Sequence, residues 1–292
     1  MECGVEDELM PKALVQDIGD ADLSYLLYEG DGPCMILLHA TGFLPWLWHP
    51  IARRLAPRWK VIAPYFCDHR VSDPHEGGLD WLSVARDLVS FISSLGITDP
   101  AVVGHSMGAT VAAIACGELG LEARGLVLFE PIFLPEDFYG ARITVDQHPL
   151  ASRSIRRRDS WGSEDELRAY LRSKPLFANW DGEMLDLYIE YGVKRLDAGG
   201  LVLACSPVRE ASLFMGGMHY DPWPVLSRVT CPVLLLEGET SENRAFIDLK
   251  KAASTFPNGS YRMIEGAGHL IPQEKPRESL AIIEEFFGNR GA

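Results

Sequence analysis

The chain has 292 residues, 47% hydrophobic and 23% charged, an ordinary balance for a globular protein with one large core or one core plus a small cap. Its 27 basic and 41 acidic residues give a net charge of −14, which repels polyanions and lacks the basic footprint of a nucleic-acid binder. No apolar run approaches the roughly 20 residues needed to cross a bilayer, and the acidic start, residues 1–11, has no basic region or apolar core of a secretory signal, so a cytoplasmic protein with no membrane partner is expected.

Residues 13–18 and 23–28 read as two opening strands joined by a Gly19-Asp20 turn. Residues 34–39 (CMILLH) form a continuous apolar run, as expected of a strand buried on both faces of a mostly parallel sheet. Residues 60–64, 101–104, 125–129 and 232–236 read the same way. Between them, residues 79–95 place Trp81, Val84, Ala85, Leu88, Ile92 and Leu95 on one helical face, with Gly96 as the stop signal. Residues 107–119 are small and apolar, suiting a helix packed closely on the sheet. Strands alternating with helices predict a three-layer α/β sandwich.

The rhythm breaks between 134 and 228, where the chain reads as helical, aromatic and richer in charge; residues 167–171 and 184–191 are expected as short amphipathic helices. It resumes at 231–238, with a strand at 260–264 and a last helix at 276–287. The expected organisation is an α/β core, 1–133 and 229–292, interrupted by a helical cap, 134–228, of the kind that covers an active site and excludes water. The cysteines (Cys3, Cys34, Cys67, Cys116, Cys205, Cys231) are scattered without CxxC spacing, and the histidines form no HExxH-type cluster, so no metal is expected. Arg153, Arg156, Arg157 and Arg158 read as a solvated face, with an anion clamp for a substrate carboxylate as the sharper alternative.

The sharpest chemical signal is Gly104-His105-Ser106-Met107-Gly108, which follows an apolar strand and precedes a helix. The two glycines remove side chains that would clash in a tight strand-to-helix turn. The serine hydroxyl then projects above the sheet, beside a helix N-terminus that favours developing negative charge. Ser106 is the candidate nucleophile, and a serine needs a base. His269, in Gly266-Ala267-Gly268-His269 between the last strand and the last helix, lies on a loop able to bring an imidazole onto it. His39 and His105 belong to other motifs, His219 to the cap, and His49, His69, His75 and His148 precede the acid or sit in turns.

Five segments together resemble the α/β-hydrolase superfamily: LLHATGF (37–43), DHRVSD (68–73), GHSMG (104–108), PVLLLEGE (232–239) and EGAGHLIPQEKP (265–276). They span the core in the family's order and leave the cap uncovered. The resemblance implies the chain order serine, acid, histidine. It also implies that His39-Ala40-Thr41 corresponds to the family's HG-x segment, with the backbone N–H groups of Thr41 and Met107 forming an oxyanion hole, donors typically worth about 3 kcal/mol each in the transition state. Ala40 stands where the family has glycine, a mild departure.

Most family members place an aspartate about three residues past the glycine of the PVLLLEG strand. This sequence has Ser241 there, and a serine cannot carry the charge that stabilises an imidazolium. Two carboxylates can take that place. Glu242 is one residue further along the same loop, and Glu130 ends the strand in LVLFEP. Some members, including the zearalenone lactonases, resemble the second arrangement. Glu130 is preferred, because its strand end points toward the catalytic face and Pro131 fixes the chain's exit.

Phe43, Leu44, Trp46 and Trp48 follow the oxyanion segment, and the cap region carries Phe133, Phe138, Tyr139, Trp161, Phe177, Trp180, Phe214, Met215, Met218, Tyr220 and Trp223. Most aromatics serve as core, yet this supply suggests an apolar pocket. The expected activity is serine hydrolysis of a carboxylic ester or lactone with a bulky apolar group, through a Ser106–His269–Glu130 triad and an acyl-enzyme. No cofactor is required, and the partner is a small apolar carbonyl-containing substrate. C–C bond hydrolysis or cofactor-free chemistry on the same fold, and a catalytically weak binding or signalling module, are the alternatives. Ser106 in place of an aspartate argues against epoxides and alkyl halides. The oligomeric state stays open, a homodimer included.

Overall fold

The computed structural model describes residues 9–288; Cys3 and most of the acidic start lie outside the described residues. The strands are β1 (Lys12–Asp17), β2 (Asp22–Tyr28), β3 (Cys34–Leu38), β4 (Lys60–Pro64), β5 (Ala101–His105), β6 (Gly125–Phe129), β7 (Ser160–Trp161), β8 (Val193–Arg195), β9 (Leu201–Leu203), β10 (Val233–Gly238) and β11 (Gly259–Ile264). Eight of them form one sheet in the order β1-β2-β4-β3-β5-β6-β10-β11. β2 is antiparallel to both neighbours, and every pair from β4 to β11 is parallel.

The helices are α1 (His49–Leu55), α2 (Trp81–Ser94), α3 (Met107–Gly117), α4 (Pro149–Ser154), α5 (Glu164–Arg172), α6 (Gly182–Tyr191), α7 (Pro207–Gly216), α8 (Trp223–Leu226), α9 (Leu249–Thr255), α10 (Ile271–Glu274) and α11 (Pro276–Gly288). Side chains alternate along a strand, so each central strand feeds two cores. Met35, Leu37, Val103, Val127 and Phe129 pack with Ile51 and Leu55 of α1 and Ile283, Phe286 and Phe287 of α11. Ile36, Leu38, Val102, Leu126 and Leu128 face the other way, onto Val84, Leu88 and Phe91 of α2, Val111 and Ile114 of α3 and Leu249 of α9. This double burial is why those strands read as unbroken apolar runs, and the result is a three-layer sandwich with a mostly parallel sheet. Burying each such side chain is worth about 1.5–3 kcal/mol. α2 begins where Asp80 caps it, its carboxylate accepting from Leu82 N–H at 3.0 Å.

The stretch 134–228 leaves the sheet after β6 and returns before β10. It holds α4 to α8 and a three-stranded antiparallel sheet, β7-β9-β8, which the helical reading of this stretch had omitted. Strands of two or three residues carry no periodic signal. Its own core gathers Trp161, Leu167, Phe177, Trp180, Met184 and Tyr188 and reaches the main body through Ala40, Phe43, Leu47 and Leu270. Trp46 stacks on Tyr191 of α6, ring centroids 3.6 Å apart and planes 5° from parallel. Trp81 Nε1–H donates to Leu213 O of α7 at 2.8 Å. Among the described residues, no helix is long and apolar enough to cross a membrane, and no group of three or more metal-ligating side chains gathers.

Candidate active site

Ser106 is the single residue between β5 and α3. Its backbone sits at φ 54°, ψ −117°, a region that costs a non-glycine residue about 1–3 kcal/mol. Three backbone hydrogen bonds hold it there: Ser106 N–H donates to Phe129 O at 2.9 Å, and Ser106 O accepts from Ala109 and Thr110 N–H, each at 3.1 Å. The flanking glycines are needed for close approach. A Cβ on Gly104 would lie 2.6 Å from Ala109 Cα, and one on Gly108 would lie 2.6 Å from Leu38 O.

His269 comes from the loop after β11. Gly268 N–H donates to Glu274 Oε2 at 2.7 Å, and His105 Nε2 lies 2.9 Å from the His269 carbonyl, so the loop is tied on both sides. His269 Nε2 lies 3.1 Å from Ser106 Oγ, and Nδ1 lies 3.0 Å from Glu130 Oε2. Burial, with His269 alongside, holds His105 well below the usual histidine range, so it stays neutral beside the reacting imidazole.

Glu130 is 1% exposed and also lies at positive φ, 48°. Its Oε1 accepts from Gly238 N–H at 2.6 Å, and its Oε2 accepts from Ser241 Oγ–H at 2.7 Å as well as facing His269. Glu242, the competing carboxylate, is exposed in the turn Glu242–Ala245 and contacts neither His269 nor Ser106. Of the two candidates, Glu130 is therefore the one brought to the imidazole. Asn243, on the same turn, brings its Nδ2 to 2.9 Å from His269 Nδ1. Sequence alone carried no signal for it, because the turn capped by Ser241 is what delivers it.

Met107 is the first residue of α3, and Thr41 follows His39-Ala40 in the loop after β3. Among the described residues, neither backbone N–H donates to a protein acceptor. His39 shapes this loop. Its Nδ1 bonds Ala40 O at 2.8 Å, its Nε2 accepts from Phe66 N–H at 2.9 Å, and burial pushes its pKa down to about 4.

Next along the loop, Gly42 has φ +75° and lies against Glu210 of α7. Glu210 Oε2 accepts from Arg157 Nη1 at 2.8 Å, and Arg157 Nη2 donates to Tyr188 Oη at 3.2 Å. Burial opposes the charge on Arg157, but Tyr188 and Glu210 outweigh it and keep the guanidinium charged. Arg156 and Arg158 instead pair with Asp146 and Glu166 at the surface, and Arg153 is exposed, so the arginine run is a solvated face with one member turned inward.

Comparison with known proteins follows the same lines. The chain is 26% identical over 272 residues to 2-(acetamidomethylene)succinate hydrolase of Mesorhizobium japonicum, covering 92% of this chain and 93% of that one. It is 28% identical over 271 residues to N-formylmaleamate deformylase of Pseudomonas putida, covering 90% and 91%. The solved structure of E-2-(acetamidomethylene)succinate hydrolase superposes with a TM-score of 0.79 at 24% identity, over 95% of this chain and 99% of that one. A thioesterase domain from the curacin biosynthetic pathway superposes at 0.75 with 16% identity, over 94% and 99%. The model of the alpha/beta hydrolase family matches residues 35–282, a span that takes in the elbow, the His269 loop and the whole stretch between β6 and β10, and the chain belongs to that family.

Proposed function

We propose that the protein is a serine hydrolase that cleaves a carboxylic ester or lactone through Ser106, His269 and Glu130. The observation that carries this reading is the unbroken hydrogen-bonded chain from Ser106 Oγ to His269 Nε2 at 3.1 Å and from Nδ1 to Glu130 Oε2 at 3.0 Å. His269 Nε2 takes the hydroxyl proton as Oγ attacks the substrate carbonyl. The imidazolium keeps its Nδ1–H on the Glu130 carboxylate, which remains charged. The oxyanion of the tetrahedral intermediate turns to the N–H groups of Thr41 and Met107. His269 hands the proton to the leaving alcohol, and water activated by the same imidazole then hydrolyses the acyl-enzyme.

The stretch 134–228 acts as the cap over this site, and the apolar contacts of Phe43 and Leu270 with it favour a substrate with an apolar portion. A second reading comes from the relatives' names, which describe a hydrolase of an acetamido-substituted succinate and a deformylase of a maleamate derivative. It is hydrolysis of an N-acyl bond in an acidic substrate. Fluorophosphonate labelling of the wild type, lost in Ser106→Ala, tests the nucleophile. A panel of p-nitrophenyl esters, lactones and N-acyl and N-formyl amino-dicarboxylates then separates the two readings; labelling that survives in Ser106→Ala sinks both.

A further inference from the structure

We propose that Ser241 and Asn243 are positioning residues that donate to the Glu130 carboxylate and aim its Oε2 at the Nδ1–H of His269; the proposal rests on the Ser106–His269–Glu130 reading. Ser241 ends the loop after β10 and caps the turn Glu242–Ala245, its Oγ accepting from Asn243 N–H at 3.3 Å. That bond fixes the direction of the hydroxyl. With a backbone N–H on its lone pair, the Ser241 proton goes to Glu130 Oε2, 2.7 Å away. The same turn sets Asn243 Nδ2 2.9 Å from His269 Nδ1 and 3.5 Å from Glu130 Oε2, to which it donates.

The direction of these bonds follows from the chemistry at the far side of the ring. Nε2 must accept from Ser106 Oγ–H, so Nδ1 carries the proton and gives it to Glu130 Oε2 at 3.0 Å. The Asn243 NH2 has no acceptor in that N–H, so it turns to the carboxylate and donates to the same Oε2. The oxygen that meets the imidazole is therefore held by two further donors, the Ser241 hydroxyl and the Asn243 amide.

The charged and titratable groups facing this cluster are few. Glu130 comes from the end of β6, neutral His105 from β5 with its ring 5.3 Å from that of His269, and Glu274 from α10 through Gly268 N–H. Tyr261 of β11 lies near Glu130, but its hydroxyl donates to Glu237, which also pairs with Arg244. None of them takes the place of Ser241 or Asn243 at Glu130 Oε2.

The test uses the full chain, p-nitrophenyl butyrate turnover, and the rate of fluorophosphonate labelling between pH 5 and 9. Ser241→Ala and Asn243→Leu are expected to lower kcat about tenfold to a hundredfold with KM nearly unchanged, the loss typical of one hydrogen bond to a charged group. Ser241→Thr, which restores the hydroxyl, recovers most of that loss. The pH profile separates positioning from mere packing. Asn243→Asp replaces a donor to Glu130 by a negative charge beside the imidazolium and moves the acidic limb up by about one unit or more. Wild-type kcat in both Ser241→Ala and Asn243→Leu, or an acidic limb that does not move in Asn243→Asp, overturns the proposal. Should Ser241→Ala fail to fold by circular dichroism, Ser241→Thr and Asn243→Asp still decide it. Glu130→Gln separates the two levels. If it labels like wild type, the underlying triad reading fails and takes this proposal with it. If it is inert while the Ser241 and Asn243 variants behave as wild type, the triad stands and the positioning role alone is wrong.

Discussion

Replacing Glu130 by glutamine changes one atom of the carboxylate and the protonation logic of the whole site. The amide oxygen takes the place of Oε1 and keeps the 2.6 Å bond from Gly238 N–H, which leaves the NH2 where Oε2 now meets Ser241 and His269 Nδ1. A donor there turns the imidazole to its Nε2–H tautomer, which cannot accept from Ser106. Water cannot make up the loss, because the side chain is 1% exposed. The equivalent acid-to-amide exchange in a serine-protease triad lowers turnover about 10⁴-fold. That factor is about 5.4 kcal/mol of transition-state stabilisation at ~1.36 kcal/mol per decade. The expectation for Glu130→Gln is a loss of that order in p-nitrophenyl ester turnover, with a thermal midpoint close to wild type because shape and the Gly238 bond survive. Glu242→Gln, exposed and remote from His269, retains wild-type turnover. Comparable activity in wild type and Glu130→Gln refutes the reasoning, and so does an inactive Glu242→Gln.

Gly42→Ala would place a Cβ 2.1 Å from Glu210 Oε1 and 2.7 Å from its Cδ, at φ +75°. Glu210 is held by Arg157, so the loop must shift, costing about 1–3 kcal/mol of stability and lowering kcat through a displaced Thr41 N–H; an unchanged urea midpoint counts against this. Arg157→Met leaves the Glu210 carboxylate unpaired at 11% side-chain exposure; because the Arg157 side chain is itself 24% exposed, the cost is about 1–3 kcal/mol, below that of a fully buried pair. The double variant Arg157→Met/Glu210→Gln recovers part of the loss, and strictly additive urea midpoints would refute the coupling. Stability also carries a pH signature. His39 and His105 are held neutral by burial, with His39 pushed down to about 4, so below the ordinary histidine pKa the unfolded chain binds protons that the folded one does not. Stability is therefore full above pH about 6.5 and falls as pH drops below it, by about 1.4 kcal/mol per pH unit for each histidine still held neutral, the His39 share ending at pH about 4. Urea midpoints at pH 7.5 and pH 5 measure this, and equal values would contradict it.

The central sheet was legible because its strands are buried twice over. Runs such as residues 34–38 and 125–129 need apolar side chains on both faces, and β3 and β6 fall on them. α2 was legible from its apolar face and Gly96. α1 was not, since seven residues opening on His49-Pro50 show too little of a helical period. The acid illustrates a different limit. The family resemblance pointed to a position after β10 that holds Ser241, and only the folded geometry shows that this serine donates to the carboxylate of Glu130 from the neighbouring strand. Asn243 was hidden for the same reason, because its place depends on a turn rather than on a pattern. The arginine run was hidden in part: four near-consecutive cations look alike in sequence, and only the meeting of α6 and α7 turns Arg157 inward. Among the aromatics whose supply suggests an apolar pocket, Phe177 and Trp180 serve as core, packed inside the stretch between β6 and β10.

The sheet register accounts for how, in the proposed triad, a glutamate from β6 reaches the place of an acid from β10. His105 and Phe129 are the last paired residues of β5 and β6, so Ser106 and Glu130 occupy equivalent places one step beyond neighbouring strand ends. Both turn to positive φ there, 54° and 48°, and each is tied to the next strand over: Ser106 N–H to Phe129 O at 2.9 Å, Glu130 N–H to Leu236 O at 2.8 Å. The strain lifts both side chains out of the sheet on the side where the His269 loop crosses. The glutamate then spans the remaining distance to β10, where Gly238 N–H and Ser241 Oγ–H meet its two oxygens. The carboxylate thus belongs to one strand by sequence and to the next by hydrogen bonding. An aspartate at 130 lacks the methylene with which Glu130 reaches Gly238 N–H and Ser241 Oγ–H, so Glu130→Asp is expected to lose these bonds together with the one to His269.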